Sequence, residues 1–212
     1  MKTEKYIQQK ERIPKSGKQI IGQSENNNII VYQAYNPRIS SYAVEHQRFG
    51  GSDYSFNRMS WIKPNFLWMM YRAGWATKEQ QQCILAITIS LTNFKNILSQ
   101  ATISSFDDTL FDTRESWKNA LAETEVRLQW DPDHDPHGNK QERKAIQLGM
   151  KGDILKKFGT EWIIKIEDIT PFVREQFEFV KSHQIDKLLV PIENVVEIED
   201  DKICKKIGIK RE

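Results

Sequence analysis

Cysteine and long apolar runs are both scarce in this sequence, and each scarcity argues against a class of protein. The chain of 212 residues has two cysteines, Cys83 and Cys204, which lie far apart and match no metal-ligand spacing. Such isolated cysteines are typical of reduced thiols in a cytoplasmic protein. No apolar run approaches the roughly 20 residues of a transmembrane helix. The Lys-rich N-terminal residues also lack the apolar core of a secretory signal. We therefore expect a cytoplasmic protein without a membrane partner.

The sequence also lacks the glycine-rich loops that hold phosphate in two widespread nucleotide-binding folds. Neither GxGxxG nor GxxxxGK followed by Ser or Thr occurs, which argues against a Rossmann domain and a P-loop NTPase. There is no GxSxG motif for a nucleophilic serine, and Cys83 lies in an apolar segment, where a thiol is usually inert. The formal net charge of +2 is close to neutral, so the whole-chain charge gives no preference for nucleic acid.

The most distinctive stretch that is present, residues 58–75, holds three of the six tryptophans and three of the five methionines. Pro64 can open a helix there, and Gly74 can close it with a left-handed cap. The residues between them leave no polar face, which is typical of a helix that is buried on all sides. Polar residues stand near its ends, and buried polar groups need partners in the protein or in a ligand. We expect a central core helix with a binding site at its edge.

Hydrophobic patterns predict about five strands and a similar number of helices. The predicted strands are residues 29–35, 83–89, 126–130, 143–149 and 162–168, with edge segments at 188–193 and 195–198. The predicted helices are residues 38–49, 64–73, 92–98, 116–121, 153–158 and 170–182. This mixture indicates an α+β fold. We expect a single compact domain whose central, mostly antiparallel sheet of about five strands, continuous or split, is flanked by helices.

The two ends of the chain differ in composition from its middle. Residues 1–27 are rich in lysine and finish in a polar run, so we expect a flexible basic N-terminal arm. Residues 28–199 are the expected α+β domain, and residues 200–212 the expected basic C-terminal tail. Basic ends can contact a phosphate backbone, although solvated tails explain them better.

Five blocks of the sequence resemble the hallmark strings of a family known only as the domain of unknown function numbered 4291. They are Val31–Tyr35, Arg58–Trp75, Val126–Pro132, Ala145–Gly149 and Trp162–Thr170. The resemblance covers roughly residues 28–195, and the long aromatic block is its most specific part. Because that family has no assigned function, the resemblance predicts membership and not chemistry.

The order of the first predicted elements is similar to the order that opens the ADP-ribosyltransferase fold. That similarity implies a nucleotide-binding enzyme that uses NAD and modifies a nucleic-acid or protein acceptor. The superfamily commonly places an acid or a Gln–Glu pair on a late strand. Here Glu142, Arg143 and Gln147 lie near that place without a clear Gln/Glu-x-Glu motif, so the transfer chemistry, and enzymatic activity itself, stay open.

The resemblance in element order selects the candidate site residues from the first strand, the aromatic block and the late strand. Gln33 and Gln147 are the predicted catalytic residues, which would orient the substrate. The predicted nucleotide-binding residues are Tyr32, Tyr35, Arg58, Trp61, Lys63, Asn65, Trp68, Arg72 and Arg143. Tyr32, Tyr35 and Trp68 would stack on nicotinamide or adenine. Arg58, Lys63 and Arg143 would offset the charge of the pyrophosphate.

Two other hypotheses follow from the same residue types. The interleaving of basic and aromatic residues suits a non-enzymatic module for single-stranded nucleic acid or RNA, unless the aromatics are core and the arginines are paired. His134 and His137 stand among three aspartates in residues 131–138, and such a loop can bind a divalent metal. A solvated turn set by Asp and Pro explains that loop better, so we predict no metal.

Overall fold

Twelve strands form four sheets within residues 1–209, the part of the chain that the computed structural model describes. The strands are β1 (Thr3–Lys5), β2 (Ile21–Gly22), β3 (Ser24–Glu25), β4 (Asn28–Tyr35), β5 (Ser60–Ile62), β6 (Cys83–Ser90), β7 (Ala101–Ile103), β8 (Val126–His134), β9 (Lys140–Met150), β10 (Ile163–Asp168), β11 (Leu189–Pro191) and β12 (Asn194–Val195).

Eight α-helices and one π-helical turn connect these strands. The helices are α1 (Tyr6–Arg12), α2 (Pro37–His46), α3 (Phe66–Ala73), α4 (Leu91–Gln100), α5 (Arg114–Glu123), α6 (Gly152–Lys157), α7 (Thr170–Lys181) and α8 (Asp201–Ile207), and the π turn is Phe158–Trp162. Lys210 and Arg211, at the end of the expected basic tail, lie outside the described residues. None of the helices within residues 1–209 is long and apolar enough to span a bilayer.

The framework consists of two four-stranded sheets, which confirms the predicted α+β fold with a mostly antiparallel, split sheet. The first sheet has the strand order β10-β6-β4-β3, and the second has the order β5-β9-β8-β7. All pairs in both sheets are antiparallel except β7 with β8. The pairs β1-β11 and β12-β2 form two further small sheets.

The first sheet is covered by apolar side chains on both faces. Along β6, Leu85 and Ile87 belong to one buried cluster, whereas Ile84 and Ala86 belong to another. The second cluster also contains Phe66 and other residues of α3. Since both faces are buried, the strand reads as a nearly continuous apolar run rather than as an alternation.

The second sheet has one apolar face and one polar face. Leu128 of β8 and Leu148 of β9 are fully buried in the larger apolar cluster. Their neighbours along the strands, such as Gln129 and Gln147, point the other way because successive side chains alternate. The polar face of this sheet is therefore free to line a site.

Strand β8 is longer than the sequence predicts. Residues 131–138 were expected as a loop, but Asp131 pairs with Ala145 and Pro132 with Lys144, and β8 ends only at His134. An irregularity in the register between Pro132 and His134 lets the strand accept a proline, which cannot donate to a regular ladder. The turn is confined to residues 135–139, and Asp131 lies on the sheet.

Helix α3 is the expected buried helix, with Asn65 rather than Pro64 at its start. The Asn65 side chain accepts a hydrogen bond from the Trp68 N–H at 2.7 Å, and Asn is among the best N-caps. Gly74 ends the helix with φ 57°, the left-handed conformation that glycine adopts at low cost. Phe66 and Met70 are fully buried, as the absence of a polar face predicts.

The N-terminal residues pack on the domain, which differs from the flexible arm that their composition predicts. Strand β1 pairs with β11, and Tyr6 and Ile13 around helix α1 are 6% and 5% exposed. Ile20 and Ile21 are buried as well. Composition misses this packing because single apolar residues among lysines give no periodic signal, although each contributes to burial.

Candidate functional site

A cleft of ≈ 810 Å³ opens where the first sheet, the second sheet and helix α3 meet. The end of β4, strand β5 with its flanking residues, α3, β8 and β9 all contribute side chains to its walls. Eight of the eleven predicted site residues line it: Gln33, Tyr35, Arg58, Trp61, Lys63, Trp68, Arg72 and Gln147. The structure thus brings together side chains that are far apart in the sequence.

A short backbone bridge joins the two sheets at this point. The Tyr32 N–H donates to the Lys63 carbonyl at 2.7 Å, and the Lys63 N–H donates to the Tyr32 carbonyl at 3.2 Å. Reciprocal bonds of this kind fix the relative position of the two segments. They hold the Lys63 backbone directly beside β4.

Three cations line the cleft, and none of them pairs with a carboxylate among the described residues. Arg58 and Arg72 are exposed, whereas Lys63 is 6% exposed. Burial, with a smaller effect of Arg72, lowers the pKa of Lys63 from its ordinary 10.5 to about 8, and Asp131 partly opposes the shift. A cluster of cations without carboxylate partners is suited to binding an anion.

A single carboxylate, that of Asp131, faces the cleft without a cationic partner within 4 Å. Gln129 donates to one of its oxygens at 2.8 Å, and Gln147 donates to the other at 2.7 Å. Gln129 and Gln147 are directly opposite in the β8–β9 register, so the sheet itself sets this arrangement. The other cleft carboxylate, Asp53, lies 3.6 Å from Arg38.

Asp131 is a site residue that sequence reasoning missed, because residues 131–138 were assigned to a turn. The signal was nevertheless present in the strand alternation. From Val126 to Gln129 the residues alternate: Val126 and Leu128 are apolar, and Arg127 and Gln129 are polar. Continuing that alternation by one more step places Asp131 on the same face as Gln129.

A hydrogen-bonded group forms the cleft wall at the end of β4. The Gln33 amide donates to Ser60 Oγ at 2.7 Å and to the Trp61 carbonyl at 3.1 Å. The Tyr35 hydroxyl lies 2.6 Å from the same Ser60 oxygen. The Gln33 carbonyl oxygen is buried and has no partner in residues 1–209, so it is available as an acceptor. Gln33 is thus partly structural, with one atom free.

The tryptophans of the aromatic block differ in how much ring surface they leave for a ligand. Trp61 is half-buried at the cleft. Trp68 is 4% exposed and stacks on Tyr71 and His134 with centroid distances of 5.4 and 5.1 Å. Its indole N–H is buried without an acceptor in the described chain. Stacking on a ligand therefore suits Trp61 better than Trp68, and the Tyr35 ring already packs on Phe49 and Tyr54.

Two predicted site residues, Tyr32 and Asn65, do not reach the cleft, because the protein itself uses their side chains. Tyr32 is completely buried against the edge of Phe66, which leaves no ring surface for stacking on a nucleotide. Asn65 caps α3, and its amide also donates to Glu193 at 3.3 Å. Glu193 is buried at the start of α3, where it accepts from the Phe66 N–H at 2.6 Å. Burial raises the pKa of the Glu193 carboxyl well above its ordinary value, against the effect of that hydrogen bond.

Arg143 is the third predicted site residue outside the cleft. It is 7% exposed, and its Nε lies 2.5 Å from the carboxylate of Asp133. Residues 143 and 147 lie four apart on the same strand, but the ion pair directs Arg143 towards the N-terminal segment, where it approaches the Pro14 carbonyl. Arg143 therefore has a structural partner and is not available for a phosphate in the cleft.

The Asp/His segment is ordered and partly buried. His134 is 2% exposed and stacks on Tyr71 with a centroid distance of 3.5 Å. Asp135 accepts hydrogen bonds from the backbone N–H groups of His137 and Asn139. In residues 1–209, no three His, Cys, Asp or Glu side chains are grouped as a metal site requires. The segment closes the β8–β9 hairpin.

Comparison with known proteins gives one family. A family model described as "Domain of unknown function (DUF4291)" matches residues 19–196. The match confirms the resemblance of the five sequence blocks, and it includes every residue of the cleft. Among curated proteins, no match was found.

Proposed function

The chain belongs to the DUF4291 family, for which no activity is described, and we propose from the cleft that it is a nucleotide-binding enzyme that acts on NAD in the manner of an ADP-ribosyltransferase. The observation that carries this proposal is the group of three cations, Arg58, Lys63 and Arg72, without carboxylate partners in the described residues. A pyrophosphate supplies the negative charge that such a group lacks.

The remaining cleft residues fit the other parts of a dinucleotide. Ring surface at Trp61 can stack on a base, and the cleft volume falls within the range of roughly 300–1,000 Å³ that is usual for ligand sites. Two buried polar atoms, the Gln33 carbonyl oxygen and the Trp68 indole N–H, lack partners in residues 1–209. Since buried polar groups are normally hydrogen-bonded, these atoms favour a polar ligand.

Asp131 is the residue that best suits the reaction itself. NAD supplies an ADP-ribosyl group whose bond to nicotinamide breaks as the acceptor attacks. Asp131 can accept a hydrogen bond from a ribose hydroxyl and offset positive charge that develops on the sugar. Gln129 and Gln147 hold both of its oxygens and so fix the carboxylate. Gln147 thereby acts through Asp131 as a positioning residue, rather than on the substrate.

A nucleic-acid-binding module is the alternative, and the exposure of the aromatic residues favours it less. Sequence-tolerant binding of single strands uses aromatic faces that are open to bases. Among the phenylalanines, tyrosines and tryptophans of the described chain, only Tyr71 has more than a third of its surface exposed, at 39%. An oligonucleotide is therefore included as a competing ligand in the test.

The test is calorimetric titration with NAD, ATP and a short single-stranded oligonucleotide, followed by an assay for nicotinamide release. We expect NAD to bind, and Arg58→Gln with Arg72→Gln to weaken it by roughly 10- to 100-fold per lost phosphate contact. Arg48→Gln, an exposed arginine outside the cleft, is the matched control and should bind normally. Binding of the oligonucleotide alone, with a steep loss in salt, would replace the NAD proposal by the nucleic-acid one.

A further inference from the structure

Lys63 differs from the two arginines with which it shares the cleft. The arginines are exposed to solvent, whereas Lys63 is 6% exposed. Its ammonium makes no hydrogen bond and no ion pair with any residue of the described chain. A guanidinium also stays charged at every relevant pH, while a lysine can lose its proton and become a nucleophile.

Most of the Lys63 side chain is buried in the cleft wall, and its ammonium, which has no protein partner, keeps some contact with the cleft solvent. An unpaired ammonium is costly to bury, and a purely structural position here would favour an apolar side chain or a paired charge. The Lys63 backbone is fixed beside β4 by its two bonds to Tyr32. It is held at the cleft wall, with Asp131 as the carboxylate that acts on it electrostatically.

We propose that Lys63 forms an imine with a ligand that carries both an aldehyde and a phosphate or pyrophosphate group. The neutral Nζ attacks the carbonyl carbon, the carbonyl oxygen leaves as water, and a C=N bond replaces the C=O bond. Arg58 and Arg72 hold the phosphate, and Asp131 is the carboxylate that can take and return protons during the loss of water. The inference rests on the anion-binding part of the proposed function and not on NAD turnover.

The acid–base behaviour of Lys63 agrees with this role. With a pKa of about 8, about a tenth of the amine is neutral at pH 7, compared with well under a thousandth for an ordinary lysine. A buried lysine of this kind is a recognised way of making an amine nucleophilic near neutral pH. The pKa of Lys63 is lowered because burial disfavours the charged form of the amine.

The test uses pyridoxal 5′-phosphate, which carries an aldehyde and a phosphate, with the full chain. Reduction by borohydride converts any imine into a stable secondary amine, and peptide mass spectrometry locates it. We expect a single dominant adduct at Lys63, with a yield that rises from pH 6.5 to pH 8.5. Pyridoxal lacks the phosphate, so its yield of labelled Lys63 should be lower than that of pyridoxal 5′-phosphate by roughly tenfold or more.

Two variants make the result decisive. Lys63→Arg keeps the charge but cannot form an imine, so the adduct should vanish. Lys157→Arg, at an exposed position of α6 outside the cleft, should leave the adduct unchanged. Circular dichroism checks that both variants fold. Labelling spread over surface lysines, or labelling that survives in Lys63→Arg, overturns the proposal. If Lys63 is labelled but NAD does not bind, the NAD function fails and the imine proposal stands. If NAD binds but Lys63 gives no adduct, the imine proposal fails and the NAD function stands.

Discussion

An ammonium that is largely desolvated and has no partner reduces the stability of a protein, so its presence needs a reason. Lys63 is in this state beside a cleft with two further cations. Residues that break a local rule of stability are found mainly at functional sites, where binding requires a group that folding alone would not select. Lys63 is therefore where stability and function are expected to oppose each other.

We predict that Lys63→Met increases the free energy of unfolding at pH 7. The pKa of Lys63 is about 8 in the folded chain against an ordinary 10.5, and this difference corresponds to about 3 kcal/mol. Because the folded pKa is lowered, the wild-type protein gains stability as the pH rises from about 8 to 10.5 and loses it as the pH falls through that window. The advantage of Lys63→Met should therefore shrink towards pH 10.5.

Urea unfolding followed by circular dichroism at pH 7 and at several values up to pH 10 measures this difference. Lys157→Met, at an exposed lysine in α6, is the matched control and should show no such pH-dependent gain. A Lys63→Met protein that is less stable than the wild type at pH 7 would show that the ammonium has a partner and is not a strained group.

Arg143, unlike Lys63, is a buried charged residue with a partner. The sequence predicts that it binds phosphate, but the structure pairs it with Asp133. We predict that Arg143→Met lowers the free energy of unfolding by about 3–5 kcal/mol, because it leaves the buried Asp133 carboxylate unpaired. Asp133→Asn with Arg143→Met should recover much of the loss. Urea unfolding measures both variants. If the folded Arg143→Met protein binds NAD more weakly than the wild type, Arg143 contributes to the site after all.

At the scale of elements, the sequence predicted best where a long pattern or a specific cap exists. Pro64 and Gly74 bracket α3 to within two residues, and the β-branched run of β4 begins one residue from its predicted start. Strands of two or three residues, such as β2 and β12, were missed or displaced because so short a segment has no period to detect. Their pairing comes from tertiary contacts.

Strand β9 contains one glycine whose lack of a side chain matters to the cleft. A Cβ at Gly149 would lie 2.7 Å from the Trp61 ring and 2.8 Å from the Met59 sulfur. We predict that Gly149→Ala displaces Trp61, lowers the free energy of unfolding by about 1–3 kcal/mol and weakens ligand binding. Tryptophan fluorescence measures the displacement of Trp61, and urea unfolding measures the loss of stability.

A double-mutant cycle identifies the cause of that loss. In a Trp61→Ala background the clash with the ring is absent and only the one with the flexible Met59 side chain is left, so Gly149→Ala should cost less than in the wild type. An equal cost in both backgrounds would mean that β9 needs the glycine for a reason other than Trp61.

At the scale of the whole molecule, the cleft exists because two sheets meet at the Tyr32–Lys63 bridge. Sequence reasoning identified Gln33, Lys63 and Gln147 as polar residues of interest, but it could not establish that they converge. Their convergence depends on the pairing of β5 with β9 and of β4 with β6, and register between distant segments leaves no local signal. Arg143 was misassigned for a related reason, because its ion pair with Asp133 depends on how the β8–β9 hairpin folds and cannot be read from β9 alone.

The central claim, that this cleft binds a nucleotide, is tested most directly by hydrogen–deuterium exchange with and without NAD. We predict slower exchange in peptides that cover residues 58–75 and 126–134, and no such change in the Arg58→Gln, Arg72→Gln double variant. Peptides of α5 and α8, away from the cleft, should be unaffected. Unchanged exchange in residues 58–75 at saturating NAD, or protection confined to another part of the chain, would contradict the account.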